Sequence, residues 1–106
     1  MTYRYMRLLL FFDLPTETGQ DRRAYSRFRK MLLKNGFLMM QESVYCKLAV
    51  NSGAAEAALE TVRKNKPERG LIQALLITEK QYSRMEFILG THVGDVLDTD
   101  ERYVEL

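Results

Sequence analysis

FLMMQESVYCKLAV, residues 37–50, is the stretch that decides the fold. It is rich in β-forming residues and too apolar for a loop. Glu42 and Ser43 interrupt it, which predicts two strands, 37–41 and 44–50, joined by a tight reversal. Upstream, Thr16 and Thr18 are candidate N-caps for a helix running to Asn35, with Glu17 available to its first turn and Gly36 as the stop. At about 100° per residue, Ala24, Tyr25, Phe28, Met31 and Leu32 share one face about 120° wide. Before that helix, MRLLLFF (6–12) is a short unbroken apolar run, the pattern of a central strand buried on both faces.

Downstream, Asn51-Ser52-Gly53 reads as a turn and AAEAALETVRKN (54–65) as a second helix. Pro67 and Gly70 end it, and GLIQALLIT (70–78) reads as another buried strand. A short helical turn over Glu79–Ser83 leads to MEFIL (85–89), and RYVEL (102–106) reads as an edge strand. The order β-α-β-β-α-β with one or two extra C-terminal strands is an α+β, ferredoxin-like arrangement with both helices on one face of the sheet. Residues 1–106 form a single domain on this reading. The strands are apolar at consecutive positions, so the second face needs a cover. A homodimer packed sheet to sheet is the simplest one, with the segment from about 85 to 106 adding to the partner protomer's sheet.

Composition narrows the function. The chain has 106 residues, 46% of them hydrophobic and 28% charged, as in an ordinary globular protein. No apolar run reaches the ~18 residues of a membrane span, and MTYRYMRLLLFFDLP lacks the form of a signal peptide, so a cytoplasmic protein without membrane partners is expected. One cysteine, Cys46, excludes an internal disulfide and multi-cysteine metal sites. One histidine, His92, leaves little room for histidine-bound zinc or a serine–histidine relay. Oxygen ligands and a hard cation such as Mg²⁺ remain. Asp95, Asp98, Asp100 and Glu101 lack calcium-loop spacing and read as solvated acids.

Two features carry chemistry. Asp13 ends the first strand two positions before Pro15. Such a carboxylate commonly begins a turn. In a two-fold dimer, a pair of them would instead repel until a divalent cation relieved the repulsion and polarised a phosphate. The second feature is a basic stripe: Arg23, Arg27, Lys30 and Lys34 lie within about 60° on the first helix, flanked by Arg22 and Arg29. It lacks the acidic i,i+4 partners of a solvated face, and backbone phosphates are its natural counterpart. Arg63, Lys64, Lys66 and Arg69 add a basic loop that equally suits a helix C-terminus. Ser43 and Tyr45 would sit near Asp13 if the hairpin lies beside the first strand; without a histidine partner Ser43 is a poor nucleophile and reads as structural or phosphate-bonding.

The chain resembles the smaller core protein of CRISPR adaptation, the Cas-two family, in the form found beside single-effector, Cas-nine-type systems. The resemblance rests on LLLFFDLP, on FRKMLLKNGFLMMQESVYCKL, and on ALLITEKQY and ERYVEL. Gly36, Gln41, Ser43, Val44 and Tyr45 match the family pattern G-x-x-x-x-Q-x-S-V-[FY]. It implies a homodimer partnered with the CRISPR integrase, Cas-one, and holding duplex prespacer DNA for insertion into the repeat array. It also implies a Mg²⁺-dependent phosphodiesterase activity on RNA or DNA, with Asp13 of each protomer as metal ligand and catalytic group. Docking through the last strand would use Arg102, Tyr103, Val104, Glu105 and Leu106. A scaffold without catalysis and a metal-dependent nuclease are thus the two main readings. A small-molecule-sensing dimer is the third, weakened by the basic helix and the lack of a glycine-rich ligand loop.

Overall fold

Strand β1 (Met6–Asp13) runs through the middle of a four-stranded sheet in the computed structural model, which describes residues 5–91. β2 (Leu38–Gln41), β3 (Val44–Ala49) and β4 (Leu71–Thr78) complete it in the order β2-β3-β1-β4. Every neighbouring pair is antiparallel. Helices α1 (Gly19–Lys34) and α2 (Ser52–Lys64) make the two crossovers, and the short α3 (Glu79–Ser83) follows β4. The architecture is the ferredoxin-like β-α-β-β-α-β expected, with a third helix appended. Among the described residues no helix is long and apolar enough to cross a membrane.

Local chemistry sets the helix ends. Of the two candidate caps Thr18 is the one used: its hydroxyl accepts from the Asp21 N–H at 3.0 Å, and Asp21 Oδ2 accepts from the Thr18 N–H at 3.3 Å. Gly36 takes φ +89 just beyond the Asn35 cap, a conformation that costs glycine least. The second helix begins earlier than the 54–65 read from sequence. The Asn51 side chain accepts from the Ala54 N–H at 2.8 Å, so Ser52 and Gly53 fall in the first turn.

Alternation along β1 divides its residues between two faces. Leu8, Leu10 and Phe12 join Phe28 and Leu32 of α1, Ala58 and Val62 of α2, and Phe37 and Tyr45 in one buried cluster. Phe12 meets Phe28 edge-on at 5.3 Å and lies tilted against Tyr45 at 5.5 Å. Full burial of each large side chain contributes about 1.5–3 kcal/mol. Arg7, Leu9, Phe11 and Asp13 point the other way. Their cross-strand partners there include Cys46, Leu48, Leu71 and Leu75.

Two expectations change. Residues 70–78 were read as a buried strand, but β4 is an edge strand with Ala74, Leu75 and Leu76 exposed. The long helices pack chiefly on β1, β2 and β3; Ile72 of β4 still packs against the buried cluster, but Ala74 and Leu76 on the same side stay exposed. Residues 85–89 form no strand, and Ile88 and Leu89 stand almost fully exposed. The closing strand, Arg102 to Leu106, with His92 and the acids from Asp95 to Glu101, lies outside the described residues.

Candidate functional site

Asp13 sits exposed at the end of β1, on the rim of an open depression that it shares with Thr16, Arg29, Glu42 and Ser43. Two backbone contacts build the site. The Phe12 N–H donates to the Ser43 carbonyl at 3.1 Å, which ties the β2–β3 turn to the end of β1. On the other side Gly70, at φ +116, leads into β4, where Leu71 pairs with Asp13. A Cβ on Gly70 would lie 2.6 Å from Leu14 Cδ2 and 3.0 Å from the Asp13 carbonyl oxygen. Only glycine combines that dihedral with that approach.

Sequence reading anticipated Ser43 near Asp13 but missed Glu42, which lines the same depression. The signal was available: the Phe11–Val44 pairing carries the turn just before Val44 to the end of β1. Tyr45 is fully buried beneath, and its hydroxyl accepts from Arg29 Nε at 2.9 Å. The donors here are all oxygens, two carboxylates with hydroxyls nearby. That chemistry fits Mg²⁺, which commonly takes one or two carboxylates and fills its octahedron with water and phosphate. Among the described residues there is no cluster of three or more His, Cys, Asp or Glu side chains to hold a metal by itself.

The six basic residues of α1 divide. Arg22 donates to the carbonyls of Thr16 and Glu17, both at 3.1 Å, and so fastens the loop after β1. Arg29 lines the Asp13 depression, as above. Arg23, Arg27, Lys30 and Lys34 are exposed and make no ion pair among the described residues. Arg23 and Arg27 also line a groove with Lys66 and Arg69 from the α2–β4 loop, segments some forty residues apart in sequence. Buried Asp21 lies 3.7 Å from Arg69 and offsets part of that charge. Arg63 is spent on its own helix, at 2.8 Å from Glu56 and 3.0 Å from Glu60.

At the opposite end of β1, Arg7 holds α3 against the sheet. Its guanidinium meets both carboxylate oxygens of Glu79, at 2.7 and 3.1 Å, and lies 4.2 Å from the centre of the Tyr82 ring. The Glu79 hydrogen bond, above all, pushes the Arg7 pKa up. Cys46 is a packed thiol, and burial pushes its pKa up. This cluster gave no sign in the sequence, since its members are dozens of positions apart.

With this geometry in hand, known proteins place the chain. The family described as CRISPR associated protein Cas2 matches residues 6–85. A "CRISPR-associated endoribonuclease Cas2" of Treponema denticola is 48% identical over 101 residues, covering 95% of this chain and all of that protein. A protein with the same description from Ligilactobacillus salivarius is 43% identical over 101 residues. The fold likewise resembles a solved structure described as "Crystal structure of cas2", with TM-score 0.58 and 14% identity over 83% of this chain and 90% of that one. A match spanning β1 to just past α3, joined to relatives aligned along almost the whole sequence, shows that the chain belongs to the CRISPR-associated Cas2 family.

Proposed function

We propose that the protein acts in CRISPR adaptation as a homodimeric scaffold that grips duplex prespacer DNA by its phosphates and works with the integrase Cas-one. The observation that carries this reading is the row Arg23, Arg27, Lys30 and Lys34, exposed and without ion pairs among the described residues. Cations left unpaired on a rigid helix keep their full charge for phosphate. Lys66 and Arg69 extend the row across the groove. A dimer that buries the open sheet face would display the row twice, one copy for each end of a duplex. The exposed edge of β4 gives a partner's closing strand, Arg102 to Leu106, a ladder to extend.

A second reading, nuclease action on RNA or DNA, is favoured by the Asp13 depression and by the description of the relatives as endoribonucleases. Mg²⁺ held by Asp13, with Glu42 beside it, would polarise a phosphodiester and supply an activated water. The chain's own part is to fix the carboxylates at the strand end and bring the backbone to them through Gly70.

One experiment tests both readings: prespacer integration with Cas-one and nuclease assays, run on the same preparations of wild type and Asp13→Ala. Scaffold function predicts integration by both proteins; nuclease function predicts that Mg²⁺-dependent cleavage disappears in Asp13→Ala. Integration lost in a folded Asp13→Ala dimer would overturn the non-catalytic scaffold, and cleavage retained would remove Asp13 from any nuclease site.

A further inference from the structure

We infer that Arg29 is the phosphate clamp of the Asp13 depression and that buried Tyr45 aims it, an inference that rests on the nuclease reading above. Three observations carry it. First, Arg29 stands apart from the exposed basic row of α1: at least about 100° from each of Arg23, Arg27, Lys30 and Lys34, it lines the same depression as Asp13. Second, it is held. Nε donates to the Tyr45 hydroxyl at 2.9 Å. Tyr45 has no exposed surface, and its ring is fixed against Phe12 at 5.5 Å, so the core itself sets the hydroxyl's position. With Nε engaged, the two terminal nitrogens have no partner among the described residues. That leaves the fork that matches two phosphate oxygens.

Third, the charges require it. The depression contains two carboxylates, Asp13 and Glu42, against one guanidinium. Without a metal it repels a phosphodiester. A bound divalent cation cancels the carboxylates, and Arg29 then supplies the remaining attraction, directed at the non-bridging oxygens. A lysine at this position would keep the charge but lose both the Tyr45 anchor and the fork. Tyr45 touches no substrate on this account and acts only through Arg29, as a positioning residue.

The test reads metal-dependent binding as well as cleavage. Short fluorescein-labelled RNA and DNA oligonucleotides of one sequence are titrated by anisotropy, without divalent metal, with Ca²⁺, and with Mg²⁺. The proteins are wild type, Arg29→Ala, Arg29→Lys, Tyr45→Phe, Asp13→Ala and, as a one-charge control at the far end of the sheet, Lys80→Ala. We expect the metal-dependent part of the affinity to fall about tenfold in Arg29→Ala and several-fold in Arg29→Lys and Tyr45→Phe. Lys80→Ala should change it less than twofold, and cleavage should follow the same order. Whichever oligonucleotide shows the larger loss is the substrate class that the clamp serves.

Arg29→Ala behaving like Lys80→Ala, or Tyr45→Phe behaving like wild type, would overturn the inference. Should Asp13→Ala lose metal-dependent binding while Arg29→Ala keeps it, only the clamp falls. Should Asp13→Ala keep both binding and cleavage, or the wild type show no metal-dependent binding at all, the nuclease reading falls and takes the clamp with it.

Discussion

The two faces of β1 have the same kind of sequence and different surroundings, although Leu9 on one is as buried as Phe12 on the other. Leu8, Leu10 and Phe12 meet α1 and α2 of their own chain and are almost completely buried. One residue out of phase, Arg7, Leu9, Phe11 and Asp13 look onto a face that no long helix covers. There Leu38, Leu48, Leu71 and Leu75 are each about half exposed, between 46% and 55%. The covered face is uniformly apolar, whereas the open one carries a charge at each end, Arg7 and Asp13. Apolar residues can serve a core made within one chain or an interface made between two. A carboxylate at the end of such a row is needed by neither core packing nor strand pairing, which is why the proposed nuclease site is placed there.

The covered face should give the largest effect when broken. Phe28→Ala removes the ring that Phe12 meets edge-on and should cost about 3–5 kcal/mol in chemical denaturation. A loss under about 1 kcal/mol would mean that the two faces do not differ as described.

On the open face the damage should be to association. Leu75→Glu, at a half-exposed position, should leave protomer stability within about 0.5 kcal/mol. By placing two carboxylates in the proposed sheet-to-sheet interface it should weaken the dimer at least ~100-fold, as read by sedimentation equilibrium. An unchanged dimer would move the interface off this face.

The helix layer offers a gentler contrast, since one side of α1 packs and the other is the proposed phosphate-binding side. Replacing Arg27 and Lys30 together with alanine should spare folding, both being exposed. For the wild type, log K for unrelated duplexes should fall against log salt with a slope of roughly −4 to −7. Four charges fewer per dimer should flatten it by up to about 4 units, equally for each duplex. An unchanged slope would reduce the row to a solvated surface.

Smallest of all should be the pH effect of Cys46. Burial raises its pKa, so the folded state favours the neutral thiol. Its contribution to stability is complete below the ordinary thiol value near ~8.5 and is lost as pH rises through the raised folded value. Melting temperatures from pH 7 to 10 should therefore decline more gently in Cys46→Ala than in wild type. Parallel curves would mean that Arg7, 3.8 Å away, stabilises the thiolate enough to cancel the burial effect.

The sequence by itself determined every element of the sheet and both long helices, because apolar period and caps are local properties. MRLLLFF could only be a buried strand, and Gly36 could only end a helix. Where the cap was a side chain reaching three residues ahead, as at Asn51, the boundary moved by two residues. Asp13 and the basic row were legible too, one from its place after an apolar run and the other from the angle between helix positions. Tertiary structure alone decided which of those charges are free. Arg22 is engaged by two loop carbonyls and Arg63 by Glu56 and Glu60, Arg29 is held through Nε alone by Tyr45 with its terminal nitrogens left open, and Lys66 and Arg69 come to stand beside Arg23 and Arg27. It also brought Glu42 into the depression that Asp13 lines and turned β4 from an expected buried strand into an exposed edge. The physical reason is range: periodicity and capping act within one helical turn or strand, whereas pairing between charges depends on register and crossover, which only the folded chain supplies.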